Sequence, residues 1–534
     1  MKSFIFLFSL VFFFCSENLN AQNQLQTWTG IIDTSFNNPG NWISSGSVQT
    51  PDCSIDILIV PATNQPVISG NQSVGSIDIQ AGATLKIKSN ASVYTCGNIA
   101  NNGSLIAENS STIILQDTST QHLSGNLIGT NSLYQLIVSK SNGSIEADTN
   151  IEIRNDLSLS NPTSVFRLNS NSLYLGGSLL NNIGPSNFIA SNTGHVHFNG
   201  NTNQVIFSFF NENVLIDTVS IEKPNGDVIL STHAGNLVVG KKLNLVSGKI
   251  FTGIQEVEML NVDTAAVSNG NLFSYVLGNL RRQIDYSLTL QLPATYFFPV
   301  GGTFYELLEI RLKSILHPHT LVVRFEGSPV LPGLSPSANN CDNTYDLVNH
   351  LDHGYWRILK DSNPTGIFEI GLHNIGYTNN AGAYWTVVEQ DTNNFPPGVY
   401  DWQLNGVCVV GSTNMLTLRD SMTVFNKYYA VAQGVIPYTG LSDLGTNSCV
   451  RCGIFPNPVP RDRVATLRLF SNHQQTVHLE IFDPQGKLVD KHPIALNSGE
   501  NEIPLNVHGF SPGVYFIKTK SASENFPVMR LEME

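Results

Sequence analysis

Between residues 50 and 260 the chain is built from short segments whose apolar residues fall at every second position. "SIDIQ" (76–80), "TLKIKS" (84–89), "SLIAE" (104–108), "TIILQ" (112–116), "LIVSK" (136–140), "IEIRNDLSL" (151–159) and "SLYLGG" (172–177) follow one another at short intervals. Alternation with period two sends one set of side chains into a core and the other outward, so each segment reads as a β-strand. Asn-Gly, Gly-Asn and Ser-Gly pairs between them supply turns, because Gly and Asn tolerate backbone conformations that other residues resist. No window sustains a helical period.

The same stretch repeats itself. At an ungapped offset of 83, Ile113 meets Val196, Leu115 meets Phe198, Gln121 meets Gln204 and Leu123 meets Ile206. The offset also carries Lys140 onto Lys223 and Asn142-Gly143 onto Asn225-Gly226. Many short strands without helices can form an antiparallel sandwich or a solenoid. In "GATLKIKSNASVYTCGNIANNGSLIAENSSTIIL" each L-x-I unit ends in a turn and is followed by another of similar length. That favours a right-handed parallel β-helix with coils over about residues 50–260, in a repeat region spanning 22–260.

After residue 261 the texture changes. Aromatic-rich strands such as "GYWRILK", "AYWTVVEQ" and "KYYAVAQG" alternate with Gly, Asn and Pro turns, which predicts an antiparallel β-sandwich region over 261–436. A linker (437–453) leads to "IFPNPVPRDRVATLRLF", where Pro456 and Pro458 forbid helical geometry. From 454 to 534 several short strands, joined at Asp483-Pro-Gln-Gly486 and Ser511-Pro-Gly513, predict an immunoglobulin-like β-sandwich. The expected fold class is all-β throughout.

Composition narrows the function. Of 534 residues, 41% are hydrophobic and only 13% charged, about half the usual charged fraction. The net charge is -13 and there is no basic run, so the chain lacks the clustered Lys and Arg that nucleic-acid binding requires. The start, "MKSFIFLFSLVFFFCSENLNAQNQ", has one Lys, an apolar run from Phe4 to Cys15 and a small-residue site before Gln22. It reads as a signal peptide of residues 1–21, too short for a bilayer span of about 20 apolar residues. The mature chain then keeps Cys53, Cys96, Cys341, Cys408, Cys449 and Cys452. An even count in an exported chain favours disulfides, and pairing within domains gives Cys53 with Cys96, Cys341 with Cys408 and Cys449 with Cys452. "CVRC" lacks both a second ligand pair for zinc and the βαβ context of a redox site.

Three segments resemble known exported proteins. Trp28, Gly30, Asn41, Trp42, Pro51 and Pro61 reproduce the opening of large exported proteins of the Bacteroidetes group, in which W-x-G and NW precede a solenoid; the two Trp are expected to cover its open first coil. Gly278, Leu280, Arg282 and Phe298-Pro-Val-Gly301 resemble a segment that follows such solenoids. Finally Pro456, Asn457, Pro458, Asp483, Gly486, Gly499, Asn501, Gly513, Tyr515 and the strand from Phe526 resemble the type A C-terminal sorting domain of the type IX secretion system. That resemblance implies a module read by the outer-membrane translocon and its sorting machinery. It implies a mature protein that is secreted or held on the cell surface, through attachment to anionic lipopolysaccharide, after signal-peptide export to the periplasm.

Catalytic chemistry is harder to find. The chain has no G-x-S-x-G, H-E-x-x-H, P-loop or dinucleotide motif, and no catalytic residue, metal site or cofactor is assigned. "HVH" places His195 and His197 on one strand face, and "CDNTYD" offers Asp342, Asn343 and Asp346 as oxygen donors; neither has the remaining ligands of a metal site. The best acid–base cluster is Glu152, Arg154 and Asp156, but Arg154 and Arg167 are the only Arg between residues 71 and 250, a thin supply for an anionic substrate. The favoured reading is a non-enzymatic, adhesin-like or structural passenger that meets surface glycans. The alternative is a β-helix polysaccharide lyase or hydrolase exported by the same route. Bacteria of this group O-glycosylate Asp-Ser/Thr triplets, which nominates Thr218, Thr264 and Ser421.

Overall fold

The computed structural model describes residues 24–44, 46–161, 163–182, 188–285, 294–315, 319–327, 338–340, 343–350, 354–360, 366–373, 384–391, 402–409, 412–413, 415–425, 427–435, 452–460, 464–521, 526 and 528–534. Residues 1–21, Cys341, Asp342 and Cys449 lie outside that set. The chain is all-β and divides into two compact units, Met1–Ile436 and Pro437–Glu534.

The first unit opens with a β-solenoid of about 10 turns. Its strands stack parallel in three ladders, one on each side of the coil. The long ladder runs Gln72–Val74, Ser92–Thr95, Thr112–Leu115, Gln135–Val138, Leu157–Leu159, Leu179–Asn181, Gln204–Ser208 and Val228–Leu230, then into Ile250–Met259 and Val276–Ile284. The second begins at Gln24–Trp28 and passes through Ile55–Ile59, Ile77–Ile79, Ile99–Asn101, Gln121–Gly125, Ser144–Ala147 and Val165–Arg167. The third holds Val67–Ile68, Thr84–Ile87 and Ser104–Ala107, and resumes with Ile151–Ile153, Ser172–Leu175 and the second halves of Phe188–Phe198 and Val214–Glu222. Alternate residues of every ladder, such as Val93, Ile113, Leu136, Leu157 and Leu179, are buried in one continuous core.

Parallel strands need a dozen or more residues between partners, and here two further sides of the coil supply them. The turn residues do more than bend the chain. Side-chain oxygens of Asp56, Asn98, Asn150, Asp156, Asn203, Asn213, Asp227 and Asn236 each accept the backbone N–H of a residue one coil further on, at 2.6–3.0 Å. Short Asn and Asp side chains are suited to this, which gives the polar, weakly charged composition a structural cause.

The three-sided coil also explains the repeat. Ile113 and Gln121 lie on the long and second ladders, whereas their counterparts Val196 and Gln204 lie on the third and long ladders. An offset of 83 residues is therefore four coils less one side, and the duplicated unit is rotated by one face. The repeated turn glycines, Gly143 and Gly226, both have φ +72° and lie against backbone of the preceding coil, where a Cβ would approach within 2.7 Å.

The last solenoid strand, Val276–Ile284, is the switch: it pairs parallel with Ile250–Met259 as far as Arg282, and from Leu280 onward it also pairs antiparallel with His319–Glu326. An antiparallel set follows, pairing Ala294–Gly301 with Tyr305–Ile315, the latter with Gly366–His373, and Tyr384–Asp391 with Lys427–Val435. The second unit contains a three-stranded sheet (Gly453–Phe455, Ala465–Ser471, Gly499–Leu505) and a four-stranded sheet (Leu488–Leu496, Gln475–Phe482, Gly513–Lys520, Met529–Met533) around one apolar core.

Candidate functional site

In the C-terminal unit the residues singled out from sequence hold the chain's turns and its last strand. The Asn457 side chain donates to the Arg530 carbonyl and accepts from the Glu532 N–H, both at 2.8 Å, while the backbone of Val459 pairs with Glu532 and Glu534. The Pro-Asn-Pro segment is thus laced to the chain's final strand. Asp483 Oδ1 accepts the N–H groups of Gln485 and Lys487 at 3.0 and 2.8 Å, and Gly486 sits at φ +80°, so the pair fixes the hairpin between Gln475–Phe482 and Leu488–Leu496. Asn501 closes the next turn by exchanging hydrogen bonds with Asn497 and donating to Gly499 O, and the Tyr515 hydroxyl donates to Ser511 O at 2.9 Å. Between the flanking Lys520 and Lys491, the Glu480 carboxyl is held down at about 2 by their hydrogen bonds.

At the opposite end of the chain, Trp28 and Trp42 are buried edge to face with ring centroids 5.0 Å apart, and Phe36 packs on Trp42 in the same way. Their indole N–H groups donate to Asn64 O (2.7 Å) and Phe36 O (2.9 Å). Gly30, at φ +60°, passes so close to Asn64 that a Cβ would lie 2.1 Å from its carbonyl oxygen. Trp42 therefore closes the core and presents no ring to a sugar.

The acid–base candidates of the solenoid do not converge. Glu152 Oε2 accepts the Gly129 N–H (2.7 Å), Arg154 donates to Asn109 Oδ1 (2.9 Å) and to the Ala107 carbonyl beside the Tyr134 ring, and Asp156 accepts the Ser178 N–H (2.6 Å). Each is bound to a different neighbouring coil. His195 and His197 stand outward on the third ladder with ring centroids 3.7 Å apart and planes tilted by 32°. His195 contacts Ser220 Oγ (2.8 Å) and His197 contacts Glu222 (3.1 Å); burial, then the neighbouring His197, lowers the His195 pKa to about 4. Among the described residues no cluster of three His, Cys, Asp or Glu has the geometry to hold a metal ion. Thr218 is half-buried and outward on the third ladder, Thr264 half-buried in a single turn, and Ser421 half-buried at φ +53°.

Cys53 and Cys96 form a disulfide that ties the first coils together. Cys408 and Cys452 are also disulfide-bonded.

Lys140 and Lys223, two cations on alternating segments, are buried, which alternation by itself does not predict. Lys223 Nζ donates to Gly200 O (3.0 Å), Thr202 O (2.8 Å) and Gln204 Oε1 (2.6 Å), and Lys140 Nζ donates to Gln121 Oε1 (2.9 Å). The Gln amides are oriented by donating to Thr95 O and Gly97 O in one unit and to Leu175 O and Gly177 O in the other. The detectable signal was a Gln and a Lys repeating together at the same separation. Burial pushes both ammonium groups down to about 8, whereas an unfolded-chain lysine titrates near 10.5. Between those values the unfolded chain binds more protons, so stability rises with pH from about 8 toward 10.5; below 8 the full cost of two buried charges is present. Urea melts across this range should show that rise in the wild type and not in a Lys140→Met/Lys223→Met variant.

Two family models match. Residues 27–173, from the Trp-lined cap through the first coils, match a domain of unknown function, DUF8693. Residues 453–528 match the secretion system C-terminal sorting domain. No curated protein and no solved structure matches the chain. The Pro-Asn-Pro segment and the Asp483–Gly486 turn thus lie within a C-terminal sorting domain, with the final strand directly after the matched residues, and the chain is a surface or secreted cargo of type IX secretion.

Proposed function

We propose that this cargo is a non-enzymatic passenger, adhesin-like or structural, whose solenoid is its display surface. The observation that carries the reading is the fate of the charged side chains on the coil. Glycoside hydrolysis needs two carboxyl groups facing one bond about 5–10 Å apart, whereas Glu152 and Asp156 each accept a backbone N–H. The proposal includes removal of residues 1–21 after Ala21, passage through the periplasm, and contact with surface glycans or attachment to anionic lipopolysaccharide.

The reading also takes 22–260 as the solenoid region, 261–436 as an antiparallel β-sandwich, 437–453 as linker and 454–534 as an immunoglobulin-like sandwich. Support for the last comes from two sheets around one core and from the Tyr515–Ser511 bond, which resembles a tyrosine corner. Cys341–Cys408 and Cys449–Cys452 are the remaining disulfide pairs proposed, and Thr218, Thr264 and Ser421 the glycosylation sites.

Native protein recovered from surface and medium fractions tests these points together. Intact mass and peptide mapping should show Gln22 as the first residue, three disulfides and glycan on the three triplets. A polysaccharide-degradation screen should show no turnover while glycan arrays show binding. Depolymerisation of any polysaccharide by the native protein, lost in Glu152→Gln, would replace this reading with that of a β-helix lyase or hydrolase.

A further inference from the structure

Six Asn-Gly pairs punctuate the chain, beginning at Asn102, Asn142, Asn199, Asn225, Asn269 and Asn405. Such a pair can react with itself: the glycine's backbone nitrogen attacks the side-chain carbonyl carbon of the Asn before it. Glycine leaves that approach open because it has no Cβ. What holds the two groups decides whether they meet, and the fold treats the six pairs differently. Gly103 N–H donates to Asn101 Oδ1 (3.2 Å) and Gly200 N–H to Gln204 Oε1 (2.9 Å), so both nitrogens are engaged elsewhere. The carbonyls of Asn269 and Asn405 accept the Tyr305 hydroxyl and Arg419 Nε, which pins the peptide group that would have to turn. The Asn405 amide also donates to Glu389 Oε1.

At Asn142 alone, among the described residues, does the carboxamide meet the nitrogen of its own glycine: Gly143 N–H donates to Asn142 Oδ1 at 2.8 Å. Oδ1 is one bond from Cγ, so the nitrogen already lies against the carbon it would attack. The hydrogen bond also draws electron density from that carbonyl. Asn142 is exposed, so water reaches it. The coil itself demands the glycine, since a Cβ on Gly143 would run into the backbone of Thr118 and Ser119. Asn225-Gly226, the counterpart at the offset of 83, has the same glycine φ of +72° without that contact. The repeat therefore carries its own control.

We infer that Asn142 is a site of spontaneous deamidation in the folded protein. The Gly143 nitrogen gives its proton to hydroxide and bonds to Asn142 Cγ. The Cγ–Nδ2 bond then breaks, and Nδ2 leaves as ammonia after taking a proton from water, which restores the hydroxide. Water opens the resulting cyclic imide at either carbonyl and gives aspartate or isoaspartate. The reaction consumes only water and changes no oxidation state. Either product adds a carboxylate to a corner that lies against Thr118 and Ser119, next in sequence to Asp117, where like charges repel. The isoaspartyl form also lengthens the backbone by one methylene between Gln135–Val138 and Ser144–Ala147, strands held in register by their neighbouring coils. Conversion therefore loosens this corner, and in a solenoid the effect stays with the adjacent coils. The inference is independent of the passenger's ligand and of its export.

Peptide mapping of the full chain, held folded in mildly alkaline buffer and sampled over time, tests it. Asn142 is expected to gain the mass that separates an acid from an amide many-fold faster than Asn225. Fragmentation between residues 142 and 143 identifies the isoaspartyl form. In strong urea the two sites are expected to convert at nearly the same rate, because the Asn-Gly sequence is then all that acts. Circular dichroism checks that the alkaline sample stays folded. Equal rates at the two sites in the folded chain overturn the inference. So does an Asn142 that keeps its amide in the folded chain while the urea-unfolded chain converts.

Discussion

A chain ending at Cys452 is expected to be made and to lose its appearance at the cell surface and in the medium by tenfold or more. The truncation removes the whole matched sorting domain, residues 453–528, and leaves the solenoid strands intact. A point variant makes the prediction sharper. Asn457→Ala deletes both bonds to the final strand, at Arg530 O and Glu532 N. Each net hydrogen bond contributes about 1 kcal/mol, so the sorting domain should stay folded while its last strand loosens. If the assembled end is what the secretion machinery reads, export by this variant falls partway. Surface proteolysis and fractionation measure both. Full-level display of the truncated chain would show that destination is encoded elsewhere.

The second large effect is expected at the other end. Trp28→Ala removes a wholly buried side chain, its edge-to-face contact with Trp42 and the donor to Asn64 O. Truncating a buried aromatic costs about 3–5 kcal/mol. In a solenoid each coil touches only its neighbours, so the loss stays local. Hydrogen exchange should therefore quicken in Gln24–Trp28, Ile55–Ile59 and Ile77–Ile79, with Val228–Leu230 nearly unchanged. Uniform loss of protection along the coil would mean that the Trp pair does not act as an end cap.

Much of this fold was legible before any coordinates. The solenoid was readable because period-two alternation and turn residues act locally, and the sorting domain through its resemblance to a known family, carried by residues such as Asp483, Gly486 and Asn501; turn chemistry alone gave only a small β-sandwich. The Trp cap was readable from two large apolar residues beside an otherwise open first coil. The Glu152, Arg154 and Asp156 cluster was not. Spacing along one segment cannot reveal that Gly129, Ala107 and Ser178, on other coils, engage the three side chains separately. The buried lysines were hidden for the same reason.

The sequence by itself thus determined the β class, the duplicated unit, the cysteine supply and the C-terminal sorting domain, all of which rest on neighbours along the chain. Only the tertiary structure decided which side of the coil each strand occupies. That depends on the summed length of strands and turns around a coil, and an offset of 83 residues falls one side short of four turns. Rotation of the repeat by one face put Gln121 with Lys140 and Gln204 with Lys223 at different corners of the coil. That the eight strands from Gln72–Val74 to Val228–Leu230, all without Asp, Glu, Lys, Arg or His, share one side of the coil shows only in the fold, because neighbouring rungs lie about 20 residues apart, a distance over which alternation carries no information.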